Sequence, residues 1–141
     1  MNYQWFVCEP ESRWLRLSRR FAPQMLPSSD DGLSITPLDA ARLAARLNSP
    51  RPTVALWSLE TAPQCDQILP QLRGLFAPSA ASRHLHFVAV DPRLEQDARL
   101  ALSAWGVLIL DRPEQLAQYA ALVTRFWQTA QPVAGGRGVG E

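Results

Sequence analysis

The sequence contains no lysine, and all 14 of its basic residues are arginines. This absence excludes every mechanism that needs a lysine amine, such as a Schiff base or the phosphate-binding lysine of a P-loop. Cysteine is also scarce, since Cys8 and Cys65 are the only two in 141 residues. Two cysteines are too few for a disulfide scaffold or a structural zinc site, and we expect neither a metal nor a cofactor.

The chain also has no large excess of positive or negative charge. The 14 arginines face 13 acidic residues, which leaves a formal net charge of +1. This balance predicts no nucleic-acid partner. No apolar run approaches the roughly 18 residues that a membrane helix needs. The amino terminus has neither the basic region nor the long apolar region of a signal peptide, so we expect a cytoplasmic protein with no membrane partner.

What the chain does have is enough apolar sequence for one compact domain, at 47% of its residues. Short apolar runs predict five strands, at residues 3–8, 33–35, 53–59, 84–90 and 107–110. Amphipathic stretches predict the helices that follow them, at residues 12–21, 37–47, 61–76, 92–105 and from 113 onward. This alternation predicts an α/β fold: a three-layer α/β/α sandwich with a five-stranded parallel sheet, formed by residues 1–128. The glycine-rich residues 129–141 are predicted to form a flexible tail.

Residues 101–127 have the sequence ALSAWGVLILDRPEQLAQYAALVTRFW. This stretch contains, in order, a helix ending in small residues and Gly106, a short apolar strand, an arginine followed by proline, and an amphipathic helix. This order resembles the end of a response-regulator receiver domain. Residues 6–11, with the sequence FVCEPE, are similar to the first strand of a receiver where it runs into its acidic loop. The resemblance covers about residues 3–127 at the level of element order, and it implies a flavodoxin-like sheet with the strand order 2-1-3-4-5.

The residues that a working receiver needs are changed in this chain. A receiver has two acids after its first strand to hold Mg²⁺, a phosphate-accepting aspartate after its third, a hydroxyl residue after its fourth and a lysine after its fifth. The corresponding positions here hold Glu9 followed by proline, Ser58 with Glu60 as the nearest acid, Val90 or Asp91, and Arg112. A serine hydroxyl takes phosphate far less readily than a carboxylate unless a base activates it. The resemblance therefore implies a degenerate receiver, or pseudo-receiver, that accepts no phosphate and is not an enzyme.

A receiver characteristically dimerises or docks its partners through its last strand and the helices on either side of that strand. By this resemblance, the partner interface would include Trp105, Gln115, Gln118, Leu122 and Arg125. A partly exposed group of tryptophan, leucine and arginine has the composition of an interface anchor. We therefore expect a module for protein–protein interaction in regulation or signalling, whose partner is another protein or a second copy of the chain.

A small-ligand binder is one alternative that the sequence leaves open. The carboxyl ends of parallel strands form the crevice where open α/β sheets bind ligands. Glu9, Ser58, Glu60, Asp91 and Arg112 would line a pocket at that edge. Their carboxylates could also hold a residual cation, or Arg112 could neutralise them in an ion-pair network.

A redox-dead thioredoxin-like domain is the second alternative. Residues 57–72 resemble the helix after a thioredoxin redox motif, with Cys65 followed by a proline five residues later. The position of the first redox cysteine is occupied by Ala62, so no redox disulfide forms there. The thioredoxin fold also needs an antiparallel hairpin before its last helix, whereas the stretch between Gly106 and Pro113 has room for one strand.

Two smaller patterns receive ordinary interpretations. His84 and His86 lie two residues apart on a predicted strand and so share a face. With no third ligand evident, we expect a surface or interface pair rather than a metal site. Arg13, Arg16 and Arg20 share one face of the first helix, which is typical of a solvated helix face.

Overall fold

The structure is a computed structural model that describes residues 2–9, 12–48, 51–59, 84–90, 100 and 107–130. Its strands are β1 (Asn2–Cys8), β2 (Gly32–Pro37), β3 (Thr53–Leu59), β4 (His84–Val90) and β5 (Leu108–Leu110). Its helices are α1 (Arg13–Phe21), α2 (Ala40–Arg46), α3 (Glu114–Gln118) and α4 (Ala120–Ala130). A 3₁₀ turn, Ala22–Met25, follows α1 directly.

The five strands form one sheet in the order β2-β1-β3-β4-β5, and every pair of neighbours is parallel. This confirms the predicted fold class and the predicted strand order. β3 lies at the centre of the sheet and is buried along its whole length. Its nearly continuous apolar run is the pattern expected of a parallel strand that is covered on both faces.

The core consists of two apolar clusters on opposite faces of the sheet. Trp5 and Leu56 of the sheet pack with Trp14 of α1 and Trp127 of α4 in one cluster. The other cluster joins sheet residues to Leu43 of α2, and its sheet members include Phe6, Trp57 and Val88. Because neighbouring residues of a strand point to opposite faces, α1, α3 and α4 cover one side of the sheet and α2 covers the other. The three layers of the sandwich are therefore present.

The start of α2 lies three residues later than the sequence predicts. The Thr36-Pro37 pair suggests a cap followed by a first helical residue, but both residues belong to β2. The backbone N–H of Leu38 donates to the Val7 carbonyl at 3.0 Å, which holds the chain extended beside β1. Pro37 is tolerated there because β2 is an edge strand whose outer side needs no donor. The cap is instead Asp39, whose carboxylate accepts from the N–H of Arg42 at 2.8 Å.

The last predicted helix is divided in two. α3 ends at Gln118, and Tyr119 adopts a turn conformation before α4 begins. The N–H of Tyr119 is shared between the carbonyls of Gln115 and Leu116, so the chain tightens at this point. α4 then continues through Ala130, two residues into the segment predicted to be a tail. The remaining tail residues and the helices predicted over 61–76 and 92–105 fall outside the described residues, apart from Leu100, which is helical.

Candidate functional site

The carboxyl ends of the parallel strands meet at one edge of the sheet, called the carboxyl edge below. Glu9 follows β1, Asp39 follows β2 and Asp111 follows β5. Glu60 and Asp91 come after β3 and β4 in the sequence, but both lie outside the described residues. The geometry of the predicted site therefore rests on Glu9, Ser58 and Arg112.

The carboxylate of Glu9 is committed to the start of α1. Its Oε1 accepts the backbone N–H of Leu15 at 2.8 Å, and its Oε2 accepts that of Trp14 at 3.1 Å. Amides in the first turn of a helix have no acceptor within the helix, and a negative charge beside them is favourable to the helix dipole. Glu9 thus serves as a capping group for α1.

Asp39 has the same role at the start of α2. Its carboxylate caps the helix through the N–H of Arg42, and the Nε of the Arg42 side chain lies 3.6 Å from the other carboxylate oxygen. Both groups are exposed, so this ion pair contributes little to stability. Two acids of the carboxyl edge are therefore engaged with the helices that follow them.

Cys8 is the last residue of β1 and lies just before this edge. Burial, together with the negative charges of Asp39 and Glu9, raises the pKa of its thiol to about 11. The thiol is therefore protonated at neutral pH. Since the thiolate is the reactive form, Cys8 behaves as a small buried apolar residue and not as a nucleophile.

Ser58 occupies the position where a receiver carries its phosphate-accepting aspartate. It is only 2% exposed and lies beside Ala89 of β4 in the sheet register. By alternation with Val54 and Leu56, its side chain lies on the face covered by α1, α3 and α4. The hydroxyl is thus buried within the sandwich and does not open onto solvent.

Arg112, at the position of the receiver lysine, is exposed beside the turn between β5 and α3. Its Nε lies 3.8 Å from Oδ1 of the neighbouring Asp111. The amide Oε1 of Gln115 accepts the N–H of Asp111 at 2.7 Å and that of Arg112 at 3.2 Å. Gln115, which the resemblance places at a partner interface, therefore holds this turn together through contacts within the chain.

The other interface residues lie on α3 and α4, except Trp105, which is outside the described residues. Gln118, Leu122 and Arg125 are all exposed. Leu122 and Arg125 lie three residues apart on one side of α4, and Gln118 is the last residue of α3. Leu122 is 40% exposed and is one of two large apolar residues so exposed in the described part of the chain. On the opposite side of α4, Val123 and Trp127 are fully buried.

A buried tryptophan–histidine pair is a feature that the sequence did not reveal. The Nε1–H of Trp57 donates to Nδ1 of His86 at 3.0 Å, and the two ring planes are 20° apart with their centres separated by 6.3 Å. Burial, reinforced by the charge of nearby His84, lowers the pKa of His86 to about 3. The expected surface pair is thus wrong for His86, which is 6% exposed. Only the register of β3 against β4, which the sequence does not show, brings these residues together.

Metal ligands and membrane-spanning helices were also sought among the described residues. They include no group of three or more histidine, cysteine or acidic side chains that could hold a metal ion. Within the same residues, no helix combines the length and the apolar composition needed to cross a membrane.

Comparison with known proteins identifies no family. No protein-family model matches the chain, and searches of curated proteins and of solved structures gave no significant match. The parallel sheet with the order 2-1-3-4-5 is shared by proteins of many functions, so it establishes the fold alone.

Proposed function

We propose that this chain is a receiver-like module that accepts no phosphate and acts through protein–protein interaction in regulation. The observation that carries the proposal is the state of Glu9. A receiver needs carboxylates after its first strand to hold Mg²⁺, whereas both oxygens of this carboxylate accept hydrogen bonds from the first turn of α1. A cation bound by this group would compete with those two amides for the same carboxylate oxygens.

The burial of Ser58 supports the same proposal. Phosphotransfer requires an acceptor that a donor in solvent can approach, and the Ser58 hydroxyl is 2% exposed. A serine also needs a nearby base to become a nucleophile. Both the type of residue and its position therefore argue against phosphate transfer at the end of β3.

The lysine position gives the third support. Arg112 has a rigid, always charged guanidinium group, and its Nε lies 3.8 Å from the neighbouring Asp111 carboxylate. In a receiver the lysine reaches across the carboxyl edge to the acidic site. Here the cation lies beside the acid that precedes it in the chain, at the exposed β5–α3 turn.

The surface of Gln118, Leu122 and Arg125 is the partner-binding site in this proposal. This surface combines an exposed leucine with an arginine, and arginine is one of the residues enriched at interface centres. No comparable observation favours the thioredoxin-like alternative, since the described strands nearest the carboxyl end, β4 and β5, pair in parallel.

Two experiments test the two halves of the proposal. The first is incubation with acetyl phosphate and Mg²⁺ followed by intact-mass measurement, for which we expect no phosphoryl adduct. A stable adduct would overturn the degenerate assignment.

The second experiment places a photo-cross-linking amino acid at position 122 in the native cell, with position 46 on α2 as the matched control. We expect a discrete cross-linked product from position 122 alone, and equal products from both positions would contradict the interface.

A further inference from the structure

The exposed face of α1 carries a cluster of positive charge. The helix has the sequence RWLRLSRRF, and all four arginines are exposed, at positions Arg13, Arg16, Arg19 and Arg20. At 3.6 residues per turn, they fall within an arc of about 120° and span about 10 Å along the axis. Trp14, Leu15 and Ser18 occupy the opposite, buried side. The four arginines are called the α1 arginine face below.

The acids nearest to this face in the sequence, Glu9 and Glu11, precede the helix, and the Glu9 carboxylate caps its start. Residues 12–29 contain four arginines and neither aspartate nor glutamate. In the described part of the chain, Arg16, Arg19 and Arg20 make no ion pair. The chain as a whole has 14 basic and 13 acidic residues, so the remainder outside this segment has three more acids than bases. Positive charge is thus concentrated on one helix of a nearly neutral molecule.

This arrangement is unfavourable for the helix itself. Like charges three and four residues apart repel each other on a helix surface, and the α1 arginine face contains several such pairs. Arg13 also lies at the positive end of the helix dipole. A face that existed only for solubility would alternate the two signs of charge, as most exposed helix faces do. Since Arg16, Arg19 and Arg20 make no ion pair in the described part of the chain, their charges can be met by an acidic group from outside it.

Aromatic rings orient the two ends of the face. The guanidinium carbon of Arg13 lies 5.4 Å from the ring centre of Trp14, and that of Arg20 lies 5.1 Å from the ring centre of Phe21. Such contacts restrict a long side chain at little cost, because its charge remains in water. Restricting the arginines before binding reduces the conformational entropy that a complex must lose.

We propose that the α1 arginine face binds a short acidic segment of a partner protein. Guanidinium groups accept carboxylates in a two-pronged geometry, and the four positions span the length of about two helical turns. A long nucleic acid fits less well, because outside residues 12–29 the chain has three more acids than bases. A membrane surface fits less well too, since the apolar side of α1 is buried in the core.

This inference goes beyond the proposed function and does not depend on the receiver resemblance or on the Leu122 surface. The test is fluorescence anisotropy of a short labelled oligoglutamate peptide titrated with the full chain at low salt. Parallel titrations use an oligothymidylate of equal charge and vesicles that contain phosphatidylserine. The test variant combines Arg16→Gln and Arg19→Gln, and the control variant combines Arg42→Gln and Arg46→Gln on α2, at the other face of the sheet.

We expect oligoglutamate to bind roughly tenfold more weakly to the α1 variant and with unchanged affinity to the α2 variant. We also expect the urea midpoint of the α1 variant to equal or exceed that of the natural chain, because repulsion is relieved. Equal weakening in both variants, no binding of the peptide, or tighter binding of oligothymidylate or vesicles would overturn the proposal. The cross-linking at position 122 is unaffected by any of these results, so the two proposals fail separately.

Discussion

Trp57 and His86, on the neighbouring strands β3 and β4, are joined by a buried hydrogen bond of 3.0 Å between the indole Nε1–H and the imidazole Nδ1. Because Nδ1 accepts this bond, the imidazole is neutral and carries its proton on Nε2. Protonation of Nδ1 would place two N–H donors against each other within the core. Burial, reinforced by His84, accordingly lowers the pKa of His86 from 6.5 to about 3.

This pair predicts that the fold begins to lose stability near pH 6.5, above the pH at which carboxylates titrate. Between pH 6.5 and about 3, the unfolded chain binds a proton at His86 that the folded chain does not. The free energy of unfolding therefore falls as the pH falls through this window, by up to about 1.4 kcal/mol per pH unit from this residue. Urea unfolding at several pH values between neutrality and the lower part of the window measures the slope.

The variant His86→Asn isolates the effect. Its amide oxygen can accept the Trp57 N–H but does not titrate, so we expect a flatter dependence of stability on pH. His84→Asn is the matched control, since His84 is only half-buried, and it should keep most of the slope. Acid titration of the carboxylates is common to all three chains and cancels in the comparison. Identical slopes for the natural chain and His86→Asn would show that His86 is not held neutral.

Cys8 gives a second prediction, on thiol reactivity. In a Cys65→Ser variant, Cys8 is the only thiol of the chain. Its pKa of about 11 leaves a negligible thiolate fraction at neutral pH, and burial blocks access to the sulfur. We expect Ellman's reagent to react with it only as the chain unfolds, and fully in concentrated guanidinium chloride. Rapid reaction of the folded variant would mean that the carboxyl edge is open beside β1.

The sheet could be predicted from the sequence because its signals are local. The apolar runs of β1, β3 and β4 are long enough to be recognised one strand at a time. Alternation with amphipathic segments then requires parallel pairing, and the receiver resemblance selects the strand order. Pro37 was misplaced for a physical reason: a threonine–proline pair is equally compatible with a helix start and with the end of an edge strand. The hydrogen bond from the N–H of Leu38 to the Val7 carbonyl of β1, which is distant in sequence, selects the strand end over the helix start.

The candidate site could be predicted only as a set of positions. Strand ends indicate that Glu9 and Arg112 lie at the carboxyl edge, but not which groups they contact. Glu9 turns towards α1 because two backbone amides of that helix lie within reach. Arg112 lies beside Asp111, and Gln115 folds back to hold their backbone. These outcomes depend on side-chain geometry within a few ångströms, which residue patterns do not encode.

Ser18 provides a third prediction, on stability. Its buried hydroxyl accepts the Nε1–H of Trp5 at 3.0 Å and so connects α1 to β1. Ser18→Ala leaves that indole N–H without an acceptor in the core, and we expect a loss of about 1–3 kcal/mol in the free energy of unfolding. Urea unfolding measures the loss, and a double-mutant cycle with Trp5→Phe assigns it to the hydrogen bond. Strict additivity of the two substitutions would show that the bond contributes nothing.

Glu9 provides the last prediction, which separates a structural role from a cation-binding one. In Glu9→Ala, the N–H groups of Trp14 and Leu15 lose their acceptors, and the helix loses a favourable charge at its start. We expect stability to fall by about 1–2 kcal/mol in urea unfolding. Asp30→Ala is the control, because it removes the same charge from an exposed turn and should change stability little. Each chain is then measured with and without Mg²⁺. A capping role predicts no dependence on Mg²⁺ in any of the chains. If Mg²⁺ stabilised the natural chain but not Glu9→Ala, the Glu9 carboxylate would be a cation ligand. That result would contradict the proposal of a degenerate receiver.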